Sequence, residues 1–242
     1  MDDAPNLASY IDHTNLAVNA SEGDIRLLCA EALEHGFAAV CVNPIWVKLA
    51  ADLLKESAVK VCTVIGFPTG AQTAASKQVE AELALANGAQ ELDMVINIAA
   101  LQAGDKEALS NDIAHLADIA HEHGAILKVI LETALLSDEE IVRACELSWE
   151  FGADFVKTST GMLATGLSPD GNTGASIHAV KLMASKTRGS TNVGDPMGVK
   201  ASGGIRDRAT AIAMIDAGAT RLGTSSGIGI VSSTDDAEES IY

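Results

Sequence analysis

Asp93 in ELDMVIN, Lys157 in FVKTSTG and Lys200 in VKASGG are charged residues inside runs of apolar residues. A lone lysine near a strand end would snorkel to solvent or pair with an acid, because an unpaired interior charge is costly. Two lysines with an aspartate suggest chemistry instead. An amine attacks a carbonyl only when unprotonated, and a free lysine, with a pKa of about 10.4, is almost wholly charged at neutral pH. Side chains alternate between the faces of a strand, so Lys157 shares a face with Phe155 and Ser159, and Lys200 shares one with Ser202. If both faces point inward from neighbouring strands, the ammonium groups meet. At ~6 Å and an effective dielectric of ~20 they repel by about 3 kcal/mol. Desolvation acts in the same direction. Such a pair makes one amine neutral and nucleophilic, fit for a Schiff base. Asp93 can carry protons, directly or through water.

A second constellation suits an anion. Ser202-Gly203-Gly204 and Ser225-Ser226-Gly227 each follow an apolar strand. Glycine lets backbone N–H groups approach a phosphate closely, serine adds hydroxyl donors, and Arg206 can add charge. Other chemistries lack their motifs. There is no P-loop and no strand–GxGxxG–helix fingerprint. His121 and His123 are two apart on an expected helix and so point to different faces. The four cysteines have no metal-ligand spacing, and no His/carboxylate cluster suggests a zinc site. Cys62 is expected in the core and Cys41, nearer a strand end, on a pocket wall. Trp46 and Trp149 are expected to pack helices.

The elements that position these residues form a repeating pattern. A helical stretch ends in Gly, and an apolar strand follows, in EALEHG-FAAVCVN, LALANG-AQELDMVIN, IAHEHG-AILKVILET, LSWEFG-ADFVKTST and MIDAG-ATRLGTSS. The glycines, Gly36, Gly88, Gly124, Gly152 and Gly218, sit where a helix C-terminus needs positive φ. Three more strands complete the set: a short one in SYIDHTNL, one at 59–66 and one beginning near Met197. Eight strands alternating with helices in 242 residues predict a (β/α)₈ (TIM) barrel. Its chemistry belongs at the C-terminal ends of the strands. Ser21 with Asp24, and Ser137 before three acids, read as helix N-caps. The polar loop at 188–198 is expected on the opposite face. Residues 1–228 are read as one barrel domain, and 229–242 as a flexible acidic tail.

Composition narrows the class further. Hydrophobic residues make up 48% and aromatics only 3%, so the core must be aliphatic, as suits parallel strands buried on both faces. A net charge of −17 argues against nucleic acid or an anionic membrane as partner. The N-terminus reads as no signal peptide and no apolar run approaches a membrane span, which predicts a cytoplasmic protein.

The strand-end motifs IDHTNL, CVNP, VIGFPTG, ELDMVIN, LKVILET, FVKTSTG, VKASGGIR and GTSSG, in this order, resemble those of the deoxyribose-phosphate aldolase family. The resemblance covers almost the whole chain. It implies a Schiff-base aldolase needing neither metal nor cofactor. The reaction would be reversible cleavage of 2-deoxy-D-ribose 5-phosphate to D-glyceraldehyde 3-phosphate and acetaldehyde, by a homo-oligomer. It further implies Lys157 as the Schiff-base residue, Lys200 as the lysine that keeps it neutral, and Asp93 as the proton-transfer acid. Gly203, Gly204, Ser225 and Ser226 would hold the phosphate. Asp12, Thr14, Cys41 and Thr158 would contact substrate. The segment MLATGLSPDGNTGAS after TSTG departs from the short glycine-rich link usual there. Tyr242 is a candidate proton-transfer group if the tail reaches the site. Two alternatives remain at this point: a Schiff-base aldolase of another sugar phosphate, and a sugar-phosphate-binding barrel without catalysis.

Overall fold

A computed structural model describes residues 6–162, 173–187 and 196–232. Eight strands form a closed, wholly parallel barrel in chain order: β1 (Ile11–Asn15), β2 (Ala39–Val42), β3 (Lys60–Ile65), β4 (Glu91–Val95), β5 (Ile126–Ile130), β6 (Phe155–Lys157), β7 (Gly198–Ser202) and β8 (Arg221–Thr224). The α-helices are α1 (Glu22–His35), α2 (Val47–Leu54), α3 (Ala74–Ala86), α4 (Ile98–Ala103), α5 (Lys106–Glu122), α6 (Asp138–Glu150), α7 (Ile177–Thr187), α8 (Arg208–Asp216) and α9 (Gly227–Ser232). The barrel expectation is met.

Local chemistry sets the element ends as the sequence suggests. Ser21 and Asp24 form a reciprocal capping box on α1, and Ser137 and Glu140 form another on α6. Each box satisfies two N–H groups that a helix start leaves unpaired. Gly36 ends α1 at φ 67°, in the left-handed region that costs other residues a steric penalty. The other four glycines of the repeat also have positive φ.

Strand alternation divides the interior. One face of β4, β5 and β6, carrying Leu92, Met94, Leu127, Val129 and Val156, belongs to the main core beneath the helices. The other face points into the lumen. There β2 and β3 contribute a small apolar cluster of Ala39, Cys41, Cys62 and Val64. The remaining strands fill the lumen with charge: Asp12, Glu91, Asp93, Lys128, Lys157 and Lys200 are all buried. Register aligns these groups, with Lys157 opposite Lys200 and Asp93 opposite Lys128.

The expected domain boundary at 228 falls inside α9, where Ile230 is fully buried in the core, so the packed unit continues to Ser232. The tail from 233, including Tyr242, and the segments 163–172 and 188–195 lie outside the described residues. Trp46 packs against the core as expected, whereas Trp149 on α6 is 38% exposed. Among the described residues no helix is long and apolar enough to cross a membrane.

Candidate active site

Asp93 is the hub of the lumen. Its Oδ2 accepts from Lys157 Nζ at 2.8 Å and from Lys200 Nζ at 2.7 Å. Its Oδ1 accepts from Lys128 Nζ at 2.8 Å and from the Cys62 thiol at 3.1 Å. Lys200 also donates to Asp12, and Lys128 lies 2.6 Å from Glu91. Arg221 closes the network, with Nη1 at 2.6 Å from Asp12 and Nη2 at 3.1 Å from Glu91. Four cations thus face three carboxylates.

Burial by itself would raise the carboxylates' pKa values and lower those of the lysines, and here pairing reverses both. Asp93 is held well below the usual carboxylate range by Lys128, Lys157 and Lys200. Asp12 is lowered to about 2 by Lys200, Lys128 and Arg221. Lys200 is raised by Asp12 and Asp93, and Lys128 by Asp93, Cys62 and Glu91. Lys200 and Lys128 are therefore fixed cations at neutral pH.

Above this layer, at the C-terminal ends of the strands, opens a cavity of about 610 Å³. Lys157 is the lysine on its wall; Lys128 and Lys200, like Asp93, lie buried and do not line it. Thr14, Gly203, Gly204, Ser225 and Arg206 also face it. Gly203 and Gly204 have φ of 85° and 82°, so the chain turns sharply beyond β7.

Several expected substrate contacts are placed otherwise. Asp12 does not line the cavity, because Lys200 and Arg221 draw it into the lumen. Thr158 is buried between β6 and β7, where its hydroxyl donates to Ser202 O at 3.1 Å and accepts from Ser202 N at 3.0 Å. Cys41 is likewise off the wall, in a cluster with Cys62, Leu16 and Phe67. Its neighbour Cys62 is the main influence lowering its pKa, against burial. Ser226 stands behind Ser225, its N–H donating to Thr224 Oγ1 at 2.9 Å. His121 is exposed beside Asp154, as expected of a surface residue.

Lys128, Glu91 and Arg221 belong to this network although a reading of the strand ends passes over them. Lys128 and Glu91 bear the same mark as Lys157, a charge in an apolar strand, and that signal was available. Arg221 begins its strand and looks like a surface residue until the barrel closes β8 on β1. Among the described residues, two sets of side chains offer metal-ligand atoms within 4.8 Å of one another: Cys41, Cys62 and Asp93, and Asp12, Cys62 and Glu91. Their carboxylates already face Lys128, Lys157, Lys200 and Arg221, so a metal ion would compete with cations in place.

A deep lysine on the cavity wall, bonded to a buried aspartate and facing glycine-rich loops, suits carbonyl chemistry on an anionic substrate. Comparison with known proteins agrees. The chain is 55% identical over 226 residues to a deoxyribose-phosphate aldolase of Brevibacillus brevis, covering 93% of this chain and 95% of that one. It is 53% identical over 232 residues to a deoxyribose-phosphate aldolase of Thermococcus kodakarensis, covering 95% and 97%. The solved structure of the tetrameric deoxyribose phosphate aldolase from Aeropyrum pernix superposes with a TM-score of 0.83 at 36% identity, covering 94% and 91%. A model of the DeoC/LacD family aldolases matches residues 7–233, and the chain belongs to that family.

Proposed function

We propose that this chain reversibly cleaves 2-deoxy-D-ribose 5-phosphate to D-glyceraldehyde 3-phosphate and acetaldehyde through a Schiff base on Lys157. The observation that carries this reading is Lys157 itself, on the cavity wall with its amine 2.8 Å from Asp93. Lys200 is anchored by two carboxylates behind the wall, whereas Lys157 has one such partner and reaches the cavity, so Lys157 is the amine placed to meet a carbonyl.

The phosphate docks on the backbone N–H groups of Gly203 and Gly204 and on Ser225, with Ser226 behind it and Arg206 nearby. Thr14 contacts the sugar, while Asp12, Cys41 and Thr158 act from behind the wall. Neutral Lys157 attacks the aldehyde carbon C1 and expels water to give an iminium. The hydroxyl on C3 loses its proton and the C2–C3 bond breaks, its electron pair moving into the iminium to form an enamine. D-Glyceraldehyde 3-phosphate leaves. Protonation of the enamine and hydrolysis release acetaldehyde and restore the amine. Asp93 takes the C3 hydroxyl proton through water and returns it through water to the enamine, and Lys128 and Lys200 hold it ionised before and after these steps. All these steps use this chain's own side chains and water. Similarity to the Aeropyrum pernix tetramer supports a homo-oligomer. The acidic composition fits a cytoplasmic protein that takes a small substrate and no nucleic acid.

Reductive trapping tests the reading. Incubation with the sugar phosphate and borohydride should give one adduct, located on Lys157 by peptide mass spectrometry. Lys157→Ala should lose it and Lys200→Leu should weaken it. Bound substrate without an adduct would refute the Schiff base and favour a barrel that binds without turnover.

A further inference from the structure

Glu132, just past β5, combines three costs at one position. Its backbone is left-handed at φ 57°, the one positive φ outside glycine among the described residues. The residue is buried, only 1% exposed. One of its oxygens, Oε1, is buried with no hydrogen-bond partner among the described residues. Burial raises its pKa, against the opposing pull of two Thr160 hydrogen bonds and the charge of Lys157. Strain and unsatisfied buried polarity at one residue mark a place selected for something other than stability.

The contacts of Glu132 lead to the cavity. Beyond the strand ends, Leu131 N donates to Lys157 O and Thr133 N to Thr158 O, each at 2.9 Å. Glu132 lies between these two links, turned so that its side chain reaches the chain following Lys157. There Oε2 accepts from the Thr160 hydroxyl at 2.5 Å and from Thr160 N at 3.1 Å. The Thr160 hydroxyl in turn accepts from Met162 N at 3.1 Å. Thr160, Gly161 and Met162 are three consecutive residues of the cavity wall. Behind them, Gly161 lies against Gly203, where a Cβ would be in ordinary contact at 3.8 Å from the Gly203 Cα. One buried carboxylate therefore holds the wall beside Lys157, and that wall rests against the Gly203–Gly204 turn at the cavity.

We propose that Glu132 is a positioning residue for this reaction, setting the Thr160–Met162 wall against the substrate through the Thr160 hydroxyl. The inference rests on the aldolase reading above.

The test compares three variants with the wild type by steady-state cleavage of 2-deoxy-D-ribose 5-phosphate and by thermal unfolding. Glu132→Gly keeps the left-handed backbone at no steric cost and removes the clamp. It should lower kcat/KM by at least 30-fold, with KM raised at least fivefold. Glu132→Gln keeps an acceptor oxygen for Thr160 and should stay within about fivefold of wild-type kcat/KM. Thr160→Val removes the hydroxyl link to Met162 and should raise KM at least threefold. A merely structural Glu132 would shift the melting temperature and leave kcat and KM in place. Wild-type kinetics in a folded Glu132→Gly protein would overturn the inference. If that variant fails to fold, wild-type kinetics in Thr160→Val would overturn it instead. An inactive wild type would remove the aldolase reading and this inference with it, whereas an active wild type with indifferent variants would remove the inference alone.

Discussion

At the residue scale, the site consists of charges that stabilise one another. Lys128 shows how much each depends on its partners. It is fully buried and bridges Asp93 and Glu91, so removing it leaves both carboxylates with less compensation than burial requires. Lys128→Met should cost about 3 kcal/mol in urea unfolding at pH 7, near the low end for a broken buried pair because Lys157, Lys200 and Arg221 remain. Lys128→Met/Glu91→Gln should recover part of that loss, since the double variant strands less charge. A Lys128→Met protein as stable as the wild type would mean that water, not pairing, satisfies the lumen. Lys157, Lys200 and Asp93 were legible in the sequence because a charge in an apolar strand needs a reason. By the same rule Lys128 and Glu91 were legible too. Asp12, Cys41 and Thr158 lie off the cavity wall, because a strand-end position does not tell whether a side chain reaches the cavity or is drawn beneath it by a partner. That depends on a lysine 188 residues away for Asp12 and on a strand neighbour 44 residues away for Thr158.

At the element scale, helices fix the strand ends that carry these residues. Lys77 on α3 is fully buried and reaches over the end of β4, donating to Val95 O at 2.8 Å and to Asp112 of α5 at 2.6 Å. Asp112 also accepts from Asn97 N at 3.1 Å. Burial pushes Lys77 down and Asp112 up, and their pairing opposes both shifts. Lys77→Met would leave Asp112 buried alone and release the carbonyl two residues beyond Asp93. It should cost roughly 3–5 kcal/mol of stability. Its kcat for sugar-phosphate cleavage should also fall, whereas a stability loss with unchanged kcat would confine the pair to folding. The helix starts and glycine stops were legible because capping is local chemistry, settled within four residues. The clamp on β4 was not, since Lys77 lies in a polar-looking stretch, SKQVEAEL, and its partner is 35 residues away.

At the scale of the whole molecule, a chain of net charge −17 encloses a lumen in which four cations face three carboxylates, and acid acts on the two in opposite directions. Protonating surface carboxylates relieves self-repulsion, so stability should hold or rise as pH falls from 7 toward the carboxylate range. Glu132 and Asp112, both with raised pKa values, add to this trend, because burial favours their neutral forms. Asp12 and Asp93 have depressed values, so their contribution is complete above the unfolded pKa and is lost as pH falls through the folded one. For Asp12 that window runs from the ordinary 3.8 down to about 2. The shift corresponds to on the order of 2 kcal/mol. Asp93 extends the loss to lower pH. The protein should therefore stay stable to about pH 4 and then unfold steeply. Asp12→Asn separates this interior contribution from the surface. The variant should be less stable than the wild type at pH 6, and by pH 2 the gap should have narrowed by roughly 2 kcal/mol, since protonation then removes the same charge from the wild type. Denaturant midpoints of both proteins across that range measure the gap. A constant gap would place the origin of acid unfolding in the surface charge rather than in the lumen.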